Sequence, residues 1–185
     1  MRIDPLNILL NSNSKTEKKI YYISGNETSL MEKISKKIIE MHREINGNVV
    51  VKIDTLENYI DEVGLFEERK IYLGKNCKGI NEKNINKIQN TKNIFVFINE
   101  NSQKNKSIKN LFIKDQNSYV IDCYELNKDS KIKILNNFLK SCDKKISQDL
   151  FWVLIDKLDN RYAFLIDSLT KIFDLDQKEI NLENI

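Results

Sequence analysis

Two stretches of this chain, Lys19–Ser24 (KIYYIS) and Asn93–Ile98 (NIFVFI), are almost unbroken runs of Ile, Phe, Tyr and Val. A strand that is apolar on both sides must be covered on both sides, which is the habit of central strands in a parallel sheet. Three further short runs read as strands: Asn48–Ile53 (NVVVKI), Lys70–Leu73 (KIYL) and Ser118–Cys123 (SYVIDC). Helical patterns fill the gaps. The first sets Leu30, Ile34, Ile38, Met41 and Ile45 on one side, with Lys33, Lys36, Lys37, Glu40 and Glu44 largely outside. Its start is marked either by Ser29 with Glu32 as a capping box or by Asn26 as a competing cap. A second pattern follows the capping pair Asp54 and Glu57, with Leu56, Tyr59, Ile60 and Val63 as its stripe. Weaker helices fit Glu82–Asn90 and Lys104–Ile113. Strand and helix in alternation predict an α/β domain: a five-stranded parallel sheet with right-handed crossovers and helices on both faces.

Beyond about Leu126 the period changes to helical throughout. Ile132, Leu135, Phe138, Leu139 and Cys142 mark one helix. Leu150, Phe151, Leu154, Ile155 and Leu158 mark another, with Ser147 as its cap, and Tyr162, Leu165, Ile166, Leu169, Ile172 and Phe173 mark a third. The expected organisation is an α/β domain over residues 1–125 and a small helical domain over 126–185.

Composition narrows the function classes. In 185 residues, 41% hydrophobic and 31% charged, there is enough apolar material for a real core. No apolar run approaches the roughly 20 residues that cross a bilayer. The formal charge of +3 is too small to argue for nucleic acid by itself. Asn, Lys and Ile are abundant, Ala163 is the sole alanine, and arginine is limited to Arg2, Arg43, Arg69 and Arg161. An AT-rich genome writes such a composition, so a lysine-rich face reads first as codon drift. Cys77, Cys123 and Cys142 are far apart, an odd number without ligand spacing. That argues for reduced thiols in a cytoplasmic protein, with Cys123 and Cys142 packed as small core residues. His42 has no His or Cys nearby and reads as an imidazole on a helix surface, and no metal cluster is expected.

The first strand runs into Ser24-Gly25-Asn26-Glu27-Thr28-Ser29 and then a helix, the place where nucleotide-binding α/β folds cradle phosphate. A working P-loop needs G-x-x-x-x-G-K-[ST], because its Lys neutralises phosphate and its hydroxyl holds magnesium. Gly25, Asn26 and Glu27 are at most a remnant of such a site: there is one glycine, no Gly-Lys, and a carboxylate where the anion would sit. NIFVFI is followed by Asn99-Glu100, so the aspartate that would hold magnesium is missing. No catalytic set and no cofactor are expected. Gly64-Leu65-Phe66 is the remaining local feature. If the second helix continues through Gly64, Leu65 falls opposite the stripe and Phe66 to one side, a pair presented to a partner's pocket. If Gly64 ends the helix, the pair folds back onto the sheet.

Several segments together resemble the delta subunit of the bacterial DNA polymerase III clamp loader, an AAA+-like family: YYISGNETSLMEKI, VGLFEERKIYL, NIFVFINENSQKNKSIKNLF with SYVIDCYEL, and the helical stretch from KILNNFLKSC to LIDSLTKI. The family's Asn-Glu-x-x-Lys-Leu is altered here, with Asp167 at the acidic place and Lys171 at the basic one. The resemblance implies a P-loop NTPase/AAA+-like domain followed by a helical lid, with the family's collar domain absent. It implies no ATP hydrolysis, a role in binding and opening the beta sliding clamp, and Leu65 and Phe66 as the clamp-binding wedge. It further implies gamma/tau and delta-prime as partners, DNA reached through the complex, and no membrane. The rival is an enzyme, a divergent P-loop ATPase or nucleotide kinase, with phosphate contacts from Lys33 or Lys36. A third possibility is direct DNA contact through Lys104, Lys106, Lys109 and Lys114.

Overall fold

A computed structural model describes residues 1–10, 18–46, 49–57, 69–100 and 106–174. The chain divides into two compact units, Met1–Tyr124 and Glu125–Ile185.

The first unit is built on β1 (Arg2–Ile3), α1 (Pro5–Leu10), β2 (Ile20–Gly25), α2 (Thr28–Asn46), β3 (Val49–Thr55), β4 (Lys70–Lys78), α3 (Glu82–Gln89), β5 (Ile94–Asn99), α4 (Lys106–Lys114) and β6 (Ser118–Cys123). All its strand pairs are parallel, in the order β1-β6-β2-β5-β4-β3. The two runs read as central do sit inside: every residue of β2 and β5 is buried. The expected sheet had five strands, and β1 adds a sixth. Two residues carry no period, so β1 exists only through its neighbour, pairing Arg2 with Val120 and Ile3 with Ile121. Likewise β4 runs past Leu73 to Lys78, its polar end held by Thr55 on one side and, at Lys75, by Ile98 on the other. Asp54 lies within β3 and so is not a helix cap.

Strand alternation sends successive side chains to opposite faces, and two contacts fix which helix covers which. Tyr21 meets His42, which puts α2 on one face. Tyr22 stacks on Phe112 at 4.6 Å between ring centroids, which puts α4 on the other. On the α2 face Leu30, Ile34 and Ile38 are fully buried. The α4 face is an aromatic ladder: Tyr72 on Phe95 at 5.1 Å, Phe95 by Phe97 at 6.2 Å, and Phe97 by Phe112 at 5.6 Å. Ile85 and Ile88 of α3 join the same cluster.

His42 is not a surface residue. It is 3% exposed, because Leu30, Ile34, Ile38 and residue 42 follow one another at four-residue steps along a single ridge. Its Nε2 lies 3.0 Å from the Tyr21 hydroxyl, which itself donates to the Lys18 carbonyl at 2.7 Å. Burial, with Arg69 adding repulsion, lowers the imidazole pKa to about 4.

The second unit holds α5 (Lys128–Ser141), α6 (Gln148–Lys157) and α7 (Tyr162–Asp174). Asn127 caps α5, and Ser147 caps α6 by accepting from the Leu150 amide at 3.2 Å. Leu135, Leu154, Leu165 and Leu169 are fully buried at its centre. Lys131 is buried among them, and its ammonium donates to the Leu158 carbonyl at 2.7 Å, where α6 ends with unsatisfied acceptors. Cys142 does not pack in the core: it caps the end of α5 and is exposed, whereas Cys77 and Cys123 are buried thiols.

Candidate functional site

In open parallel sheets ligands bind beyond the carboxyl ends of the strands, where the loops diverge. Here that edge carries Gly25 at the end of β2 with Asn26 and Glu27 after it, Asn99 at the end of β5 with Glu100 after it, and Asp122 near the end of β6.

The turn after β2 is drawn tight against β6. The Asn26 and Glu27 amides both donate to the Cys123 carbonyl, at 3.1 and 3.2 Å. Only glycine fits at position 25, because an added Cβ would lie 1.7 Å from that same carbonyl oxygen. Two amides that a phosphate-binding turn would direct at its ligand are therefore spent on a neighbouring strand. The carboxylate of Glu27, 6% exposed, takes the start of α2 instead. It accepts from the Leu30 amide at 2.5 Å and from the Ser29 hydroxyl at 2.9 Å. Neither Asn26 nor a Ser29–Glu32 pair caps this helix; Glu27 does, its carboxylate accepting from the Leu30 amide and facing the positive end of the dipole. The helix terminus thus holds a built-in anion in the position of an external one.

The other groups at this edge are also engaged. Glu100 pairs with Lys75 at 2.8 Å, and its amide donates to the Asn76 side chain at 3.2 Å. Asp122 pairs with Lys109 at 2.5 Å and accepts from Ser24 at 3.3 Å. Asn99 is buried beside Tyr22, whose hydroxyl is pushed up to about 12, chiefly by burial. Among the described residues the edge therefore presents neutral hydrogen-bonding groups and closed ion pairs, an arrangement that stabilises structure. Beside it, a cavity of about 430 Å³ lies between α2 and the ends of β3 and β4, floored by Met31, Ile39 and Leu73. Lys36, Lys52 and Lys75 stand on its rim against Glu32, Asp54 and Glu100, so its charges balance. Lys33 is exposed on α2. Among the described residues no group of His, Cys, Asp and Glu could hold a metal ion, and no helix is long and apolar enough to cross a membrane.

Leu65 and Phe66 lie outside the described residues, as do Tyr59, Ile60, Val63 and Lys104. In the second unit, Asp167 and Lys171 are exposed and pair with each other at 2.7 Å, one turn apart on α7. The Glu27 cap is the element that reading by spacing missed; a buried carboxylate immediately before a helix was its signal.

No protein-family model matches this chain, and neither does any curated protein sequence. Solved structures do. The fold is similar to that of the Bacillus subtilis DNA clamp loader delta protein (YqeN), with a TM-score of 0.63 and 17% identity over 97% of this chain. It is also similar to domain III of the Thermotoga maritima replication initiation protein DnaA, with a TM-score of 0.52 and 13% identity over 97% of this chain and 87% of that one. The fold is accordingly the α/β architecture of AAA+ domains. The chain spans 60% of the Bacillus protein's length.

Proposed function

We propose that this chain is a delta-like subunit of a DNA polymerase III clamp loader, binding and opening a beta sliding clamp without hydrolysing ATP. Residues 1–125 act as an AAA+-like domain that carries the clamp contact, and residues 126–185 act as its helical lid. The observation that carries the reading is the pairing of an AAA+ architecture with a phosphate turn filled from within, by the Cys123 carbonyl and the Glu27 carboxylate. A protein of this fold that cannot seat a nucleotide has its surface left as its instrument. The likeness to the Bacillus delta protein supports the choice of partner, with gamma/tau and delta-prime as the other subunits and DNA engaged through the assembly.

In this reading Leu65 and Phe66 form the wedge that enters a pocket on the clamp. Burying the two side chains contributes roughly 3–6 kcal/mol, at about 1.5–3 kcal/mol each. That energy opens the ring only to the extent that the pocket differs between open and closed states.

The test is capture of the host's clamp by this chain and by a Leu65→Ser/Phe66→Ser variant. The variant is expected to lose the clamp while keeping the parent's circular dichroism; equal capture by a folded variant rejects the assignment. ATP-dependent thermal shift separates the rival enzyme. A nucleotide at 100 times its Kd adds about 2.7 kcal/mol of stability, and none is expected here at millimolar ATP.

A further inference from the structure

The two edges of the sheet are not alike. β1 is only two residues long, and shortness is one of the ways in which proteins close an edge to further pairing. β3 runs for seven residues, VVVKIDT, and ends the strand order with β4 on its inner side only. Among the described residues no strand lies against its outer row of amides and carbonyls. Val49 is 59% exposed, and Val50 and Val51 are half-buried, although valine is a residue that sheets usually cover.

Open edges are commonly guarded by proline, by bulges or by lysine. β3 contains no proline. The irregularity at its far end lies in its neighbour: from Ile53 to Thr55 β3 advances two residues, while β4 advances four, from Gly74 to Lys78. β3 itself therefore stays regular. Lys52 is its one guarding charge, and Asp54 answers it from the same face, since both line the cavity beside α2. Both side chains are exposed, and neither is in an ion pair among the described residues.

Register points to the partner. When two copies of one strand pair antiparallel about a two-fold axis, each residue faces the one equally far beyond the axis. An axis through Lys52 sets lysine against lysine, which is unfavourable. An axis through Ile53 sets Lys52 opposite the partner's Asp54, twice over, with Val51 opposite the partner's Thr55. The segment is thus complementary in charge to its own reverse, a match that a second copy makes by construction.

We propose that β3 is a self-association edge, through which two copies of this chain pair antiparallel about an axis at Ile53 and join their sheets. Main-chain hydrogen bonds supply the attraction, and the two Lys52–Asp54 pairs fix the register. Leu65 and Phe66 take no part, so this reading and the clamp contact fail separately.

The test is sedimentation velocity of the full chain from low to high micromolar concentration. The parent is expected to move from 21.8 kDa toward twice that mass as concentration rises. Lys52→Asp and Asp54→Lys each put like charges opposite one another at both pairs, and each is expected to weaken association about tenfold. Mixing these two variants is expected to restore it, because every altered charge then faces its opposite on the other copy. The double reversal Lys52→Asp/Asp54→Lys is expected to associate as the parent does. Circular dichroism checks that each variant keeps the parent's fold, as the exposure of both side chains leads one to expect. A parent that stays monomeric throughout overturns the proposal. So do folded single reversals that associate as the parent does, which puts the interface elsewhere, and a mixture that remains monomeric.

Discussion

The two faces of the central sheet are made from the same strands yet solve burial differently. Toward α2 the sheet meets aliphatic side chains and one histidine; toward α3 and α4 it meets stacked rings. Outside, α2 mixes Glu32, Lys33, Lys36 and Glu40, whereas α3 and α4 are nearly all Lys and Asn. The difference teaches that alternation along a strand sets which residues are paired with which helix, while the helices decide what each face offers to the surroundings. One face is chemically neutral outside and titratable inside; the other is inert inside and charged outside.

That contrast is open to direct attack. The largest effect is expected from Phe112→Ala, which removes the ring shared by Tyr22 and Phe97: about 3–5 kcal/mol less stable in urea unfolding. A smaller loss than Ile38→Val gives, typically about 0.5–1.5 kcal/mol, would mean that the rings are not the tighter side.

Acid should strike the opposite face. His42 is held at about 4 in the fold against 6.5 when free. Its neutral form is therefore the one the fold favours, so its stabilisation is complete above about pH 6.5 and drains as pH falls toward 4. The total is on the order of 3 kcal/mol. Amide exchange should accelerate in α2 before it does in α3, and His42→Gln should flatten the dependence. An unchanged urea midpoint between pH 7 and pH 4 in the parent protein contradicts this.

The smallest effect belongs to the junction between β2 and α2. Glu27→Ala is expected to cost about 0.5–2 kcal/mol as a lost cap. It should also leave ATP affinity undetectable, because the Asn26 and Glu27 amides stay bound to Cys123. Gain of ATP binding in that variant would show the carboxylate alone to have been the obstacle.

Much of this was readable from the chain. KIYYIS and NIFVFI gave themselves away as central strands because burial on both sides leaves no room for polar residues. Ser147 was visible as a cap because its partner is the local backbone. What escaped depends on distant neighbours. Nothing within Arg2–Ile3 foretells a strand, since the pairing lies more than a hundred residues away in β6. Isolation from other ligands makes His42 read as a surface residue, whereas its four-residue spacing from Leu30, Ile34 and Ile38 sets it on the buried ridge. Cys142 ends a helical stripe in the sequence but caps the helix in space. The turn at Gly25 was legible as a defective phosphate site, yet the carbonyl that fills it belongs to β6, which spacing could not name.

The order of the strands also bears on how the protein is born. β2 leaves the ribosome early, but its two neighbours, β5 and β6, are encoded some seventy to a hundred residues later. At about 5–20 residues per second, a nascent chain carries this greasy segment without flanking partners for several seconds. β6, encoded last, is the second neighbour of β2, so the strand order is complete only once the chain has passed Cys123.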